Sequence, residues 1–364
     1  MTSTSRSRKL DTRDLALLRF VAQGLVAPAR VAPEDVVARL LCLQAQDYRS
    51  GVISVALRSG ASSAEVEATF NSGAVVRAWP LRGTLHLVRA TDLAWLRDLL
   101  APRELAAAAG REARMGITAA VLAQAERIAV ETLSSGGSSS RAALIEAWSD
   151  GGVDTTNQRS YHLIWHLAHA GTLCFGPVRN GEQHLVLQSN WVPATDKLDR
   201  HAALETLAFR YFESHGPATP SDLARWANLT IADIETAVSA ASRRLATVTV
   251  DDVEYLLGLA TQDQLAACRR EAQGVFALPG FDELLFGYRD KTPTLPDDRA
   301  TAVFPHRNGV PSRTILANGQ VVATWASPPK GSGDALTITP LVPLSTRVVQ
   351  AAKRKASALE GNGD

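Results

Sequence analysis

The chain lacks most of the features by which enzyme chemistry announces itself. Its three cysteines, Cys42, Cys174 and Cys268, lie far apart in apolar settings and read as buried free thiols of a reducing compartment. They exclude an iron–sulfur cluster, which takes four closely spaced ligands. No HExxH, paired CxxC, Walker A or GxSxG segment occurs, so hydride, phosphoryl and acyl transfer lose their usual signatures. Lysine is scarce, with six residues at 9, 197, 291, 330, 353 and 355. No apolar run reaches membrane-spanning length and the N-terminus, MTSTSRSRKLDTRD, is polar, which predicts a cytoplasmic protein away from the membrane. The formal charge of +1, from 38 cations and 37 anions, excludes a polybasic tail but allows a segregated basic groove.

What is present is a chain of 364 residues, 46% hydrophobic and 21% charged, long enough for two to four domains. One supersecondary pattern recurs about three times. The first copy runs from the amphipathic LDTRDLALLRFVAQGL through VAPEDVVARLLCLQ and SAEVEATFNSG to the alternating VRAWPLRGTLHLVRA. The second runs from VLAQAERIAVETLSSGG to TLCFGPVRNGEQHLVLQ, where Asn180-Gly181 signals a hairpin. In the third, HAALETLAFRYFESHG precedes ATPSDLARWANLT, IADIETAVSAASRRL and the strands ATVTVDD and EYLLG, with Thr219 or Ser221 as helix cap. Helix, helix, helix, hairpin is the winged-helix arrangement. After about Gly274 strands and turns dominate, before a closing helix in STRVVQAAKRKASALEG. The expected fold class is α+β, mainly α. The expected domains are 1–115, 116–195 and 196–273 as three winged-helix units, with a C-terminal β-rich unit at 274–364.

Candidate chemistry is sparse. His162, His166 and His169 share a helical face at a possible zinc spacing, but no cysteine or carboxylate in the sequence pattern completes a ligand set, and no metal is expected. Arg82, Thr84 and His86 share a face if WPLRGTLHLVR is extended; they line a cleft or form a solvated wing. LCLQAQDYRSG carries Gln44 and Gln46 around a small residue, yet Gln262-Asp263-Gln264 has the same form in a probable helix start. Side chains at i and i+2 share a face only in extended chain and point about 200° apart in a helix. If both glutamines act together, residues 44–46 must leave helical geometry, and Asp47 then caps the following helix or pairs with an arginine, with a catalytic base as the minority reading.

LCLQAQD, RAWPLRGTLHLV, LPGFDELLFGYRDK and TILANGQVVATW, in that order, resemble the tandem winged-helix DNA glycosylases of the AlkZ/YcaQ type. Leu43-Gln44-Ala45-Gln46 matches the glutamine–apolar–glutamine branch of that family. The resemblance implies three winged helices in a C-shaped array around a DNA-sized groove. It implies removal of N7-alkylguanine from double-stranded DNA, including bulky adducts and interstrand crosslinks, in self-resistance to a DNA-alkylating natural product. Gln44 and Gln46 are then the catalytic pair. Arg82, Arg289 and a turn carrying Lys330 are expected to contact DNA. Asp282 is expected to face the cleft as a supporting acid or to cap the ELLFGY helix. No lysine lies near the motif in sequence, so a monofunctional glycosylase is expected. It needs no cofactor and acts as a monomer. The alternative is a non-catalytic winged-helix regulator of DNA.

Overall fold

The computed structural model describes residues 10–26, 30–305, 309–328 and 335–361. By internal contacts the chain divides into two units. One comprises residues 30–204 with 227–230; the other comprises the N-terminal segment, residues 205–226 and the chain from 231 onward.

Helix α1 (Thr12–Ala22) opens on a reciprocal cap between Asp11 and Asp14. Its Leu15 packs with Val248, Val250, Tyr255 and Leu257, and its Leu17, Leu18 and Val21 pack with Leu265 and Ala272. The sequence reading had placed this helix in the first winged helix. An apolar stripe is satisfied by whichever face fits it, and here that face comes from more than 200 residues downstream rather than from the next helix along the chain.

The first helix–helix–helix–hairpin consists of α2 (Pro33–Leu40), α3 (Tyr48–Ser59) and α4 (Ser63–Asn71) with strands β2 (Val75–Leu81) and β3 (Thr84–Arg89). A two-residue strand, β1 (Leu43–Gln44), stands between α2 and α3. The long helix α5 (Ala90–Arg114) leads to the second set: α6 (Ala119–Gly136), α7 (Arg141–Asp150), α8 (Arg159–His169), β4 (Leu173–Arg179) and β5 (Glu182–Leu187), closed by α9 (Gln188–Trp191). The two hairpins are not separate wings. They form one antiparallel sheet in the order β1-β3-β2-β4-β5, joined where Arg77 faces Phe175. Each hairpin thereby covers an edge that a lone wing would expose. Trp79 and Leu85 of the first hairpin enter the core built around Trp148, Leu163 and Trp165. Strand β3 is buried from Leu85 to Val88, which is why its sequence shows no clean alternation.

The third set is α10 (Arg200–His215), α11 (Pro220–Ala227), α12 (Ile231–Ala241) and the hairpin β6 (Leu245–Val250) and β7 (Val253–Gly258). Thr219 caps α11, accepting from the Asp222 amide while Asp222 accepts from the Thr219 amide. Helix α13 (Thr261–Ala272) follows. Strands β8 (Val275–Leu278), β9 (Arg313–Ala317), β10 (Gln320–Ala326) and β11 (Thr337–Pro340) form a second sheet in the order β11-β10-β9-β8. Short helices α14 (Glu283–Phe286) and α15 (Asp297–Val303) interrupt it, and α16 (Thr346–Gly361) closes the chain. Among the described residues no helix is long and apolar enough to cross a membrane.

Packing beneath β1 is tight. Gly51, in the first turns of α3, lies so close to Ala45 that a Cβ added to it would stand 2.8 Å from the Ala45 Cβ and 3.3 Å from its Cα. The three histidines of α8 are held individually. His166 Nδ1 lies 2.9 Å from a Glu112 carboxylate oxygen, a partner that the local sequence pattern did not reveal. His169 donates from Nδ1 to the Trp165 carbonyl at 2.8 Å, and its ring lies 3.9 Å from that of Trp165. Among the described residues no group of three or more His, Cys, Asp or Glu is arranged to hold a metal ion.

Two outcomes follow. Gly51→Ala is expected to cost about 1–3 kcal/mol by overpacking, and adding Ala45→Gly is expected to restore part of that loss in urea unfolding. A neutral Gly51→Ala would show that the contact is not limiting. Burial pulls the His169 pKa down to about 4, against the pull of the Trp165 carbonyl and with help from His166. The unfolded chain therefore binds a proton that the folded chain refuses between about pH 6.5 and 4. This contribution is complete above pH 6.5 and is lost as pH falls through 4, by about 3 kcal/mol in all. Wild-type stability should thus fall more steeply from pH 7 to 4.5 than that of His169→Gln; parallel curves would refute the assignment.

Candidate active site

The chain leaves α2 abruptly. Leu41, fully buried, has φ 65° and ψ −55°, and the Cys42 amide bonds back to the Leu40 carbonyl at 2.7 Å. A γ-turn on a leucine in the left-handed half of conformational space is a strained arrangement that packing must hold. It releases the chain into β1, where Leu43 faces Leu87 and Gln44 faces His86. The Ala45 amide continues the ladder to the Leu85 carbonyl at 2.9 Å. Residues 43–45 are therefore extended, whereas Gln262-Asp263-Gln264 lies in the first turn of helix α13. Asp47 is the N-cap of α3, accepting from the Ser50 amide at 2.7 Å. A carboxylate that holds a helix end is less available as a base.

The two glutamines are not equivalent. Gln44 is 3% exposed, and its Oε1 accepts from the amides of Ala45 (2.9 Å) and Gln46 (3.1 Å). A carboxamide oxygen has two lone pairs, and these two amides occupy them. Gln46 is exposed; its Oε1 accepts a single backbone bond, from Leu85 at 3.1 Å. One lone pair of that oxygen stays available to a water molecule.

A residue that the sequence reading passed over holds the tripeptide from the other side. Arg77, on β2, donates from Nε to the Ala45 carbonyl at 2.9 Å and from Nη2 to the Gln46 carbonyl at 3.1 Å. Its Nη1 donates to Gln183 Oε1 at 3.1 Å. The rings of Tyr48 and Phe175 flank the guanidinium at 5.7 and 5.5 Å. Burial pulls its pKa down to about 10, opposed first by the Asp47 carboxylate. The signal available in the sequence was the lone charge inside the apolar VVRAWPL: a half-buried cation must find acceptors.

The remaining candidates are dispersed. Arg82 occupies the β2–β3 turn at φ 51°, beside Gly83 at φ 62°, and so does not continue the strand face of Thr84 and His86. The stretch is not extended throughout: β2 ends at Leu81 and β3 begins at Thr84, with Arg82 and Gly83 in the turn between them. Thr84 bonds its hydroxyl to the Leu81 carbonyl at 3.3 Å. His86 is fully buried and donates from Nδ1 to the Thr84 carbonyl at 2.8 Å, a structural tie behind Gln44. Asp282 is 1% exposed and caps α14 through the Leu284 amide at 3.0 Å, which is the capping role and not that of an acid facing an open cleft. Arg289 is exposed and donates to the Ser221 hydroxyl at 2.7 Å. Lys330 lies outside the described residues.

Comparison with known proteins identifies the family. Residues 37–362 match the family described as DNA glycosylase AlkZ-like. The interstrand DNA cross-link repair glycosylase of Streptomyces sahachiroi is 24% identical over an alignment of 379 residues, covering 96% of this chain and 95% of its own. The solved structure of the DNA glycosylase AlkZ from Streptomyces sahachiroi shares the fold with a TM-score of 0.80 at 22% identity, over 98% of this chain and 97% of that one. That likeness supports the fold class, α+β and mainly α. The chain belongs to the AlkZ-like DNA glycosylase family, enzymes that hydrolyse N-glycosyl bonds in DNA.

Proposed function

We propose that the enzyme excises N7-alkylguanine from double-stranded DNA, including bulky adducts and the guanines of interstrand crosslinks, with Gln46 holding the water that attacks C1′. The observation that carries this reading is the exposed Gln46 carboxamide, in the bend directly after β1, with one acceptor site open. The Streptomyces sahachiroi relative, a cross-link repair glycosylase, supports the substrate class. Alkylation at N7 places a positive charge on the guanine, so the base departs as a neutral molecule. The glycosidic electron pair goes with it, water bonds to C1′, and the surplus proton passes to solvent. A leaving group so activated requires little acid catalysis. The sugar acquires oxocarbenium character, which negative dipole density stabilises without an ionised base. Gln44, with its oxygen already bonded to two amides, fixes the path of the tripeptide and belongs to the catalytic unit through Gln46.

Family membership speaks against the non-catalytic regulator weighed from the sequence. Arg82 and Arg289 serve as phosphate contacts in this reading, and a role in self-resistance to a DNA-alkylating natural product follows from the crosslink substrate. The test uses a duplex carrying one N7-methylguanine, with abasic sites counted over time. Gln46→Ala is expected to lower the rate about a hundredfold or more with DNA affinity retained. Gln44→Ala is expected to lower the rate and also the unfolding midpoint. Wild-type excision by Gln46→Ala would overturn the assignment, and an inert wild-type protein on both methylated and crosslinked duplexes would overturn the substrate class.

A further inference from the structure

Strand β1 lies at the edge of its sheet, so one side of the tripeptide has no neighbouring strand to bond. The Ala45 and Gln46 carbonyls both accept from one guanidinium, that of Arg77, which reaches them from β2. Its planar fork sets the direction of both carbonyls together, which the point charge of a lysine does not do. The fork is itself aimed by Gln183, 8% exposed on β5, whose Oε1 takes the Nη1 bond. Gln183 sits opposite Val178, directly after an irregularity in the β4–β5 register, the kind of feature that re-aims a side chain. Its Nε2 is buried without a hydrogen-bond partner among the described residues. Flipping the amide would set NH2 against a guanidinium N–H, so the orientation follows from the pairing. An apolar side chain would avoid that unmet donor but would leave Arg77 Nη1 without its acceptor, so the hydrogen bonding of the glutamine is directed at Arg77.

We infer that Arg77 and Gln183 are positioning residues for the hydrolytic step: the hairpin of the second winged helix orients, through Arg77, the tripeptide of the first. The inference rests on the reading of Gln46 as the water-holding group. It assigns part of the active geometry to a residue 137 positions downstream of Gln46.

The experiment measures single-turnover excision, DNA affinity and thermal unfolding on the full chain, with a duplex containing N7-methylguanine. Gln183→Leu is expected to slow excision about tenfold, with affinity within about twofold and an unfolding midpoint close to wild type. Gln183→Glu keeps the acceptor and is expected to restore most of the rate. Arg77→Lys, which loses the fork, is expected to slow excision about a hundredfold. In a Gln46→Asn background the Gln183→Leu loss should shrink to about twofold or less, because the two act through one group. A structural role alone would lower rate, affinity and midpoint together, without rescue by glutamate, and would overturn the inference. So would full excision by Gln183→Leu, or a loss undiminished in the Gln46→Asn background. The two readings fail separately: wild-type excision by Gln46→Ala removes the functional assignment, whereas an inactive Gln46→Ala beside a fully active Gln183→Leu removes only this inference.

Discussion

The site depends on a strand of two residues that has no means of holding itself. Leu43 and Gln44 pair with β3, but two ladder positions on a sheet edge give little rigidity. Order comes from the surroundings of the tripeptide. A strained turn at Leu41 ends the helix before it, and Asp47 starts the helix after it. Gly51 admits the Ala45 methyl from below. The backbone is bonded on all sides: its amides to Gln44 and Leu85, its carbonyls to Arg77. Of the three side chains of the tripeptide, that of Gln46 faces solvent with an acceptor site open.

This explains how a motif of neutral residues acquires meaning. Glutamine–x–glutamine occurs twice in the chain, and the side chains share a face only where the backbone is extended. At 262–264 the chain is helical and the two point apart; at 44–46 it is not. Spacing alone gave the conditional statement, and the helix-breaking turn at Leu41 satisfies the condition. The same logic made the more obvious catalyst, Asp47, the less available one, since its carboxylate is bonded to the Ser50 amide.

What stayed hidden in the sequence shares a physical character. Arg77 acts on peptide carbonyls, which every residue possesses, so no pattern of side chains marks its target. Gln183 acts on Arg77 from a hairpin more than a hundred residues away, and only the merging of two wings into one sheet brings them together. Helix α1 was misplaced because amphipathicity specifies that a face is buried but not against what. The hairpins, the caps at Thr219 and Asp47, and the Asn180-Gly181 turn were legible because each is decided within a few residues.

The bonds around the tripeptide also form a directed series. Gln183 accepts from Arg77, and Arg77 donates to the Ala45 carbonyl. The amide of that same peptide unit, on Gln46, donates to Gln44 Oε1. Polarising a carbonyl draws charge from its own peptide nitrogen and strengthens the bond that its N–H makes, so each member reinforces the next. In the proposed reaction, a half-buried cation close to a sugar that becomes positive would oppose the step if its field reached the sugar undiminished. Here the guanidinium faces two carbonyl oxygens and a carboxamide oxygen, with Asp47 as the leading charge that stabilises it. Asp47 is thus a counter-charge to the guanidinium that holds the tripeptide carbonyls.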